Sequence, residues 1–331
     1  MAMVLGASNG CDETGPPRQR VIPREAGWVA FIGAGPQDLL WPRLQAGAQR
    51  FERSYGLIQV RYAVPSTPTA QAQRALLQGP STPPLRGICI HPVEPEALAA
   101  DVLRARRDGV RVVTILRRIP GIPSDGHVGI DETAVGRALA QATVEGLGGK
   151  GTIMILHAGQ SDPDLRTRYE AFRAAIETRN AIRIWADIDF AKDCSGRPAE
   201  ARRQIAERSS RFPSLTAWVC IAPWPLLDPP AEGPVLPSGI RVITVGAEPW
   251  MWPHIEAGTC PAVVGFDYSD AGFKALQFCQ GAIMAVDTGL REYHLPVRIV
   301  TRDRLEAYQR DWLSWLAPSS PADTSRPAKV P

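Results

Sequence analysis

Short apolar runs and helical segments alternate along this chain almost without a break, and that rhythm leaves few folds open. Residues 28–33 (WVAFIG) are apolar throughout, as a strand buried on both faces requires. Residues 42–55 follow with Leu44, Ala48 and Phe51 on one helical face. Residues 58–62 alternate like a strand, 69–77 read as a helix, 87–90 as a strand, 94–107 as a helix and 110–116 as a strand. A parallel neighbour can be reached only through a crossover, so units of this kind build a parallel sheet covered by helices.

A second set follows. Helices are expected over 133–146, 165–178, 199–208 and 271–286, and strands over 152–156, 182–186, 217–221, 240–245 and 297–300. Two such sets in 331 residues predict two Rossmann-like α/β lobes, each with a parallel sheet. Open parallel sheets bind ligands beyond the carboxyl ends of their strands. Two sheets facing one another place both sets of loops in one cleft.

Composition removes several function classes. A net charge of +3 is too small for a nucleic-acid or anionic-membrane partner, and pairs such as Arg117-Arg118 and Arg202-Arg203 read as solvated surface. The six cysteines form no C-x-x-C pair, so no zinc site of ordinary spacing is expected. Cys89 and Cys220 fall within apolar runs, where Cys acts as a small buried hydrophobe. The first eleven residues, MAMVLGASNGC, have the order of a lipoprotein export signal ending at Cys11, although Ser8 stands where Leu is expected; a disordered tail with a chance Cys is the alternative. Residues 1–25 are read as this leader and a Pro-rich linker, and residues 318–331 as a disordered tail.

Enzyme signatures do not assemble. Gly33-Ala-Gly35-Pro36 begins like a dinucleotide fingerprint, but the third Gly is missing and Val60-Arg61-Tyr62 stands where an acidic residue should close the next strand. A nicotinamide-dependent oxidoreductase is the remote alternative. There is no G-x-S-x-G, P-loop or H-E-x-x-H, and the five His residues show no ligand spacing.

Several phrases, in order, resemble a known family. They are Leu40-Trp41 with Ala46-Gly47-Ala48, His91-Pro-Val-Glu-Pro-Glu-Ala-Leu98, Gly109-Val-Arg-Val-Val-Thr-Ile115, His127-Val-Gly-Ile-Asp131, Gly136-Arg137, Gly148-Gly-Lys-Gly151, Arg168 with Phe172, and the run from Gly239 to Gly246. Over residues 27–316 the chain resembles the type I periplasmic binding proteins of sugar ABC importers, the ribose- and galactose-binding group. The resemblance implies two lobes joined by a three-segment hinge, with crossings at 129–131, 264–266 and 295–297. It implies lobes of residues 26–130 plus 266–296 and of 131–265 plus 297–317. It also implies a non-catalytic extracytoplasmic monomer without cofactors that binds a sugar-like, possibly anionic ligand and docks on an ABC permease. A ligand-sensing receptor of the same fold stays open beside it.

Family contact positions carry over unevenly. Arg117, Asp131 and Arg168 match; Leu116 replaces an Asp, Glu248 an Asp and Phe266 a Gln, while Trp224 opens a segment that replaces a helix. Asp38 and Trp41 fall at the opening helix. The resemblance therefore implies a ligand site of Asp38, Trp41, Arg117, Asp131, Arg168, Trp224, Glu248 and Phe266. Planar forks such as Arg and Asp suit paired hydrogen bonds to hydroxyls, and aromatic faces suit the C–H side of a sugar ring.

Overall fold

Strand β1 (Trp28–Ile32) has no polar residue and is buried along its whole length. A strand with no wet side needs helices on both faces of its sheet. In this computed structural model, which describes residues 27–316 except 37, 57, 78–82, 160–161, 228–235, 237–238 and 287–291, that is the arrangement found. The leader with Cys11 and the tail lie outside the described residues.

β1 pairs in parallel with β2 (Gln59–Ala63) and β3 (Leu85–Ile90). With β4 (Arg111–Ile115), β5 (Gly126–Gly129) and β11 (Glu292–His294) they form a six-stranded parallel sheet, ordered β11-β5-β4-β3-β1-β2. The two faces follow the strand period of two. Val29, Phe31, Cys89 and Val113 pack beneath α1 (Trp41–Tyr55) and α9 (Tyr268–Ile283). Trp28, Ala30, Ile32, Ile88 and Ile90 pack beneath α2 (Ala70–Leu77) and α3 (Pro95–Arg107).

The second sheet repeats the plan. It holds β6 (Gly151–His157), β7 (Ile182–Asp189), β8 (Ala217–Cys220), β9 (Val242–Val245), β10 (Ala262–Phe266) and β12 (Val297–Thr301), ordered β12-β10-β9-β8-β6-β7. One core, beneath α4 (Glu132–Leu147) and α5 (Pro163–Ile176), includes Ile153, Ile155, Val219 and Val264 and runs on into the first lobe. The other, on the opposite face, includes Met154, Leu156, Trp218 and Cys220 with residues of α7 (Pro198–Arg211), α8 (Trp252–Glu256) and α10 (Arg302–Leu316). A short helix, α6 (Phe190–Asp193), closes the turn after β7.

The chain passes between the sheets three times: from β5 into α4, from β10 into α9 and from β11 into β12. Both crossings that enter a helix end on an aspartate cap. The Asp131 carboxylate accepts from Ala134 N, and that of Asp267 from Ser269 N and Asp270 N. Such caps satisfy amides that the first turn leaves without partners, so each crossing stops at a defined residue.

Three sequence expectations change here. Residues 264–266, read as the second crossing, belong to β10, and the crossing begins after Phe266. The second sheet is not wholly parallel, since β12 runs antiparallel to β10 with Val297 opposite Phe266. Only two residues separate β11 from β12, so the chain enters the second sheet at the edge where β10 leaves and must run back. Strands β5, β10 and β11 were not resolved from periodicity, each being too short to stand out from the connections around it. Five cysteines (Cys89, Cys194, Cys220, Cys260 and Cys279) are buried free thiols. No helix among the described residues is long and apolar enough to cross a membrane.

Candidate ligand-binding site

The carboxyl ends of the two sheets meet across the crossings, and the loops there hold most of the candidate residues. On the first lobe, the turn after β1 is organised by Asp38. Its carboxylate accepts from Leu40 N at 3.0 Å and Ala34 N at 3.4 Å, and lies 3.2 Å from His91 Nδ1. Burial acts to raise the Asp38 pKa, but the His91 ring and the two amides outweigh it and hold the carboxyl below its usual value. Gln73 ties the same loops together, donating to Gly33 O and His91 O and accepting from Val93 N. Trp41 opens α1 and is half-buried against Phe31, with ring centroids 5.9 Å apart.

Arg117 is exposed and donates to Val93 O at 2.7 Å. Before it, Leu116 sits at φ 61°, the left-handed region that a leucine enters at a cost of roughly 1–2 kcal/mol. Residues held there gather at functional sites, and this one stands where the family resemblance places an Asp.

On the second lobe, Arg168 of α5 is 6% exposed. Its Nε donates to Glu132 Oε2 at 2.6 Å and its Nη1 to Ile221 O at 2.8 Å. One guanidinium therefore joins α4, α5 and the loop after β8. Burial raises the Glu132 pKa, and Arg168 pulls it back only in part. Beside that loop, Trp224 stacks on Phe190 at 4.3 Å with 7° between the planes. Among the described residues after β8 stands a 3-10 turn, Trp224–Leu226, braced by Arg202 donating to Leu227 O. Most of the altered segment 223–237 lies outside the described residues.

The remaining candidates differ in depth. Asp131 is exposed and acts as the helix cap described above. Replacing it by Ala is expected to cost about 1 kcal/mol, and by Asn almost nothing, since Asn caps as well; comparison of the two melting curves checks this. Phe266 is a core side chain, 1% exposed and 5.7 Å from the Tyr268 ring, a position that packs β10 rather than facing the loops. Glu248, after β9, is buried and accepts from Arg43 Nη1 at 2.9 Å. Burial raises its pKa, against the pull of Arg43.

Arg43 was not among the residues singled out from the sequence. The signal was present, because Arg43, Gly47 and Phe51 recur every four residues on the face that α1 buries. A charged residue on such a stripe needs a partner, and here it lies across the cleft. Two hollows of about 330 and 420 Å³ sit elsewhere, at the amino ends of β8 and β9 and of β2. No cluster of metal-ligating side chains occurs among the described residues.

The sequence profile of the periplasmic binding protein domain matches residues 29–284. The chain belongs to the periplasmic binding protein domain family. Solved structures repeat its fold at low identity. A periplasmic ribose ABC transporter protein from Conexibacter woesei aligns with TM-score 0.72 and 19% identity, over 88% of this chain and 99% of that one. A solute-binding protein from Burkholderia graminis in complex with D-arabinose gives 0.69 and 16%, over 86% and 98%. One from Actinobacillus succinogenes with bound D-allose gives 0.70 and 14%, over 85% and 100%. No curated protein sequence matches this member of the family.

Proposed function

We propose that this periplasmic binding protein captures a small, neutral, polyhydroxylated ligand of the sugar class between its lobes, without transforming it, and presents it to an ABC permease in the membrane. The observation that carries the reading is a pair of sheets joined at their carboxyl ends by three crossings, with forked polar groups and aromatic faces on the loops of each. Family membership and neighbours solved with sugars support it.

A neutral ligand is favoured over an anionic one by the pairing of Arg168. Its charge is already met by Glu132, and Arg43 is met by Glu248, so neither guanidinium offers an uncompensated charge to a carboxylate; the exposed Arg117, which donates to Val93 O, is the cation that the glucuronate arm below tests. In this reading Asp38, Trp41, Arg117, Asp131 and Trp224 face the ligand, while Arg168, Glu248 and Phe266 shape the walls behind them. The lobes are residues 26–130 plus 266–296 and 131–265 plus 297–317. The protein works outside the cytoplasm as a monomer, with Cys11 as its lipid anchor. Hinge closure around the ligand is the signal that the permease reads.

A thermal-shift screen tests this, with D-ribose, D-arabinose, D-allose and myo-inositol against D-glucuronate and NADH. A ligand that binds only the folded state adds about 2.7 kcal/mol at a hundredfold excess over Kd. A melting temperature raised by a neutral sugar and left alone by glucuronate is the expected result. A rise with NADH only, or with glucuronate only, would overturn the proposal.

A further inference from the structure

We infer that Arg43 is an interlobe latch, a side chain of the protein's own that holds the lobes together through Glu248 when no ligand is bound. Arg43 belongs to α1 in the first lobe and Glu248 to the loop after β9 in the second. The Arg43 side chain is 3% exposed, and that of Glu248 10%. Their hydrogen bond of 2.9 Å joins residues 205 apart in sequence. The same guanidinium lies 3.6 Å from Asp267 at the second crossing, 4.9 Å from the centre of the Trp312 ring of α10 and 5.8 Å from that of Tyr268.

The cation is thus held by carboxylates and aromatic faces from both lobes and from the crossing between them. A group of this chemistry in this place does what a bridging ligand does: its contacts with the second lobe exist only while the lobes touch. Separating them leaves Glu248 without its ion-pair partner and removes the Trp312 face from Arg43. A charge-assisted bond of this kind shifts an equilibrium by about tenfold or more. The latch therefore biases the ligand-free protein toward the closed arrangement, and a ligand held by that arrangement binds with a higher apparent affinity than it would without the latch.

Small-angle scattering of the ligand-free protein reads this directly and needs no ligand, so its outcome is independent of the sugar screen. Arg43→Met keeps the packed stem and removes the charge. Glu248→Gln keeps the shape and weakens the pair, and serves if the first variant fails to fold; far-UV circular dichroism shows which variants are folded. The parent is expected to scatter as the closed arrangement, and the folded variants to show a larger radius of gyration, with the open-to-closed ratio raised about tenfold. A parent that is already open without ligand, or folded variants that scatter as the parent does, would overturn the latch.

Discussion

Replacing Arg168 by Ala is expected to destabilise the protein by about 3–5 kcal/mol, the cost of breaking a buried ion pair from one side. At roughly 2–4 °C per kcal/mol that is a fall on the order of 10 °C in melting temperature. The family resemblance places Arg168 at the ligand, where its loss would weaken binding and leave the fold intact. The structure alters that expectation, because Arg168 holds Glu132 of α4 and the carbonyl of Ile221 after β8 together. Without it a buried carboxylate and a carbonyl lose their donor at once.

Two further measurements separate this account from a simple loss of packing. The Glu132 pKa is already raised by burial above its ordinary 4.5, and loss of Arg168 raises it further. A carboxyl whose folded pKa lies above its unfolded value binds more protons when folded, so its contribution is present in acid and lost as pH rises through the folded pKa. Arg168→Ala should therefore regain part of its stability between neutral pH and 4.5. The double variant Arg168→Met, Glu132→Leu should recover most of it, since exchanging both partners leaves no charge behind. A single variant that melts within about 2 °C of the parent and still loses ligand would place Arg168 in the cleft proper and sink the structural role.

Gly47→Ala is the second large expected effect, and here two physical terms compete in sign. Alanine is the better helix former by about 1 kcal/mol, so propensity alone predicts stabilisation. Yet a Cβ at Gly47 would stand 1.7 Å from the backbone oxygen of Ser269, and one at Gly272 would stand 1.8 Å from that of Leu44. Helices α1 and α9 touch there backbone to backbone, and no rotamer can relieve the overlap. Overpacking costs about 1–3 kcal/mol and occasionally more, and a clash with backbone on both sides belongs at the top of that range. The net expectation is a loss of about 2 kcal/mol, read as a lower midpoint in urea at unchanged slope. A midpoint at or above that of the parent would show that the helices part freely. Because α1 carries Arg43, the displacement should also loosen the contact with Glu248.

What could be read from the sequence was whatever depends on the period of the chain. The apolar run of β1, the stripe of α1 and the repeated strand–helix units specify parallel sheets under helices, since burial and backbone hydrogen bonding leave such a pattern little else to form. Two such sets, and the ordered phrases that resemble a sugar-binding family, pointed to two lobes and a hinge. Strands β5, β10 and β11 escaped, because a segment of three to five residues shows too weak a period to be told from a crossing. The direction of β12 was decided by where the chain re-enters the second sheet, which is a property of the path and not of the residues 297–301.

The candidate site divides along the same line. Residue type and position marked Arg168, Glu248 and Trp224 as polar or aromatic groups near strand ends, and these are properties of local sequence. Partnership is not. That Arg168 is already met by Glu132, that Trp224 lies on Phe190, and that Arg43 reaches Glu248 from the other lobe follow only when distant segments are folded together. A charge costs little in water and much in a dry interior unless it is paired. The sequence by itself determined the sheets, the lobes and the kind of side chain at their facing ends; only the tertiary structure decided which of those charges are already spent on one another.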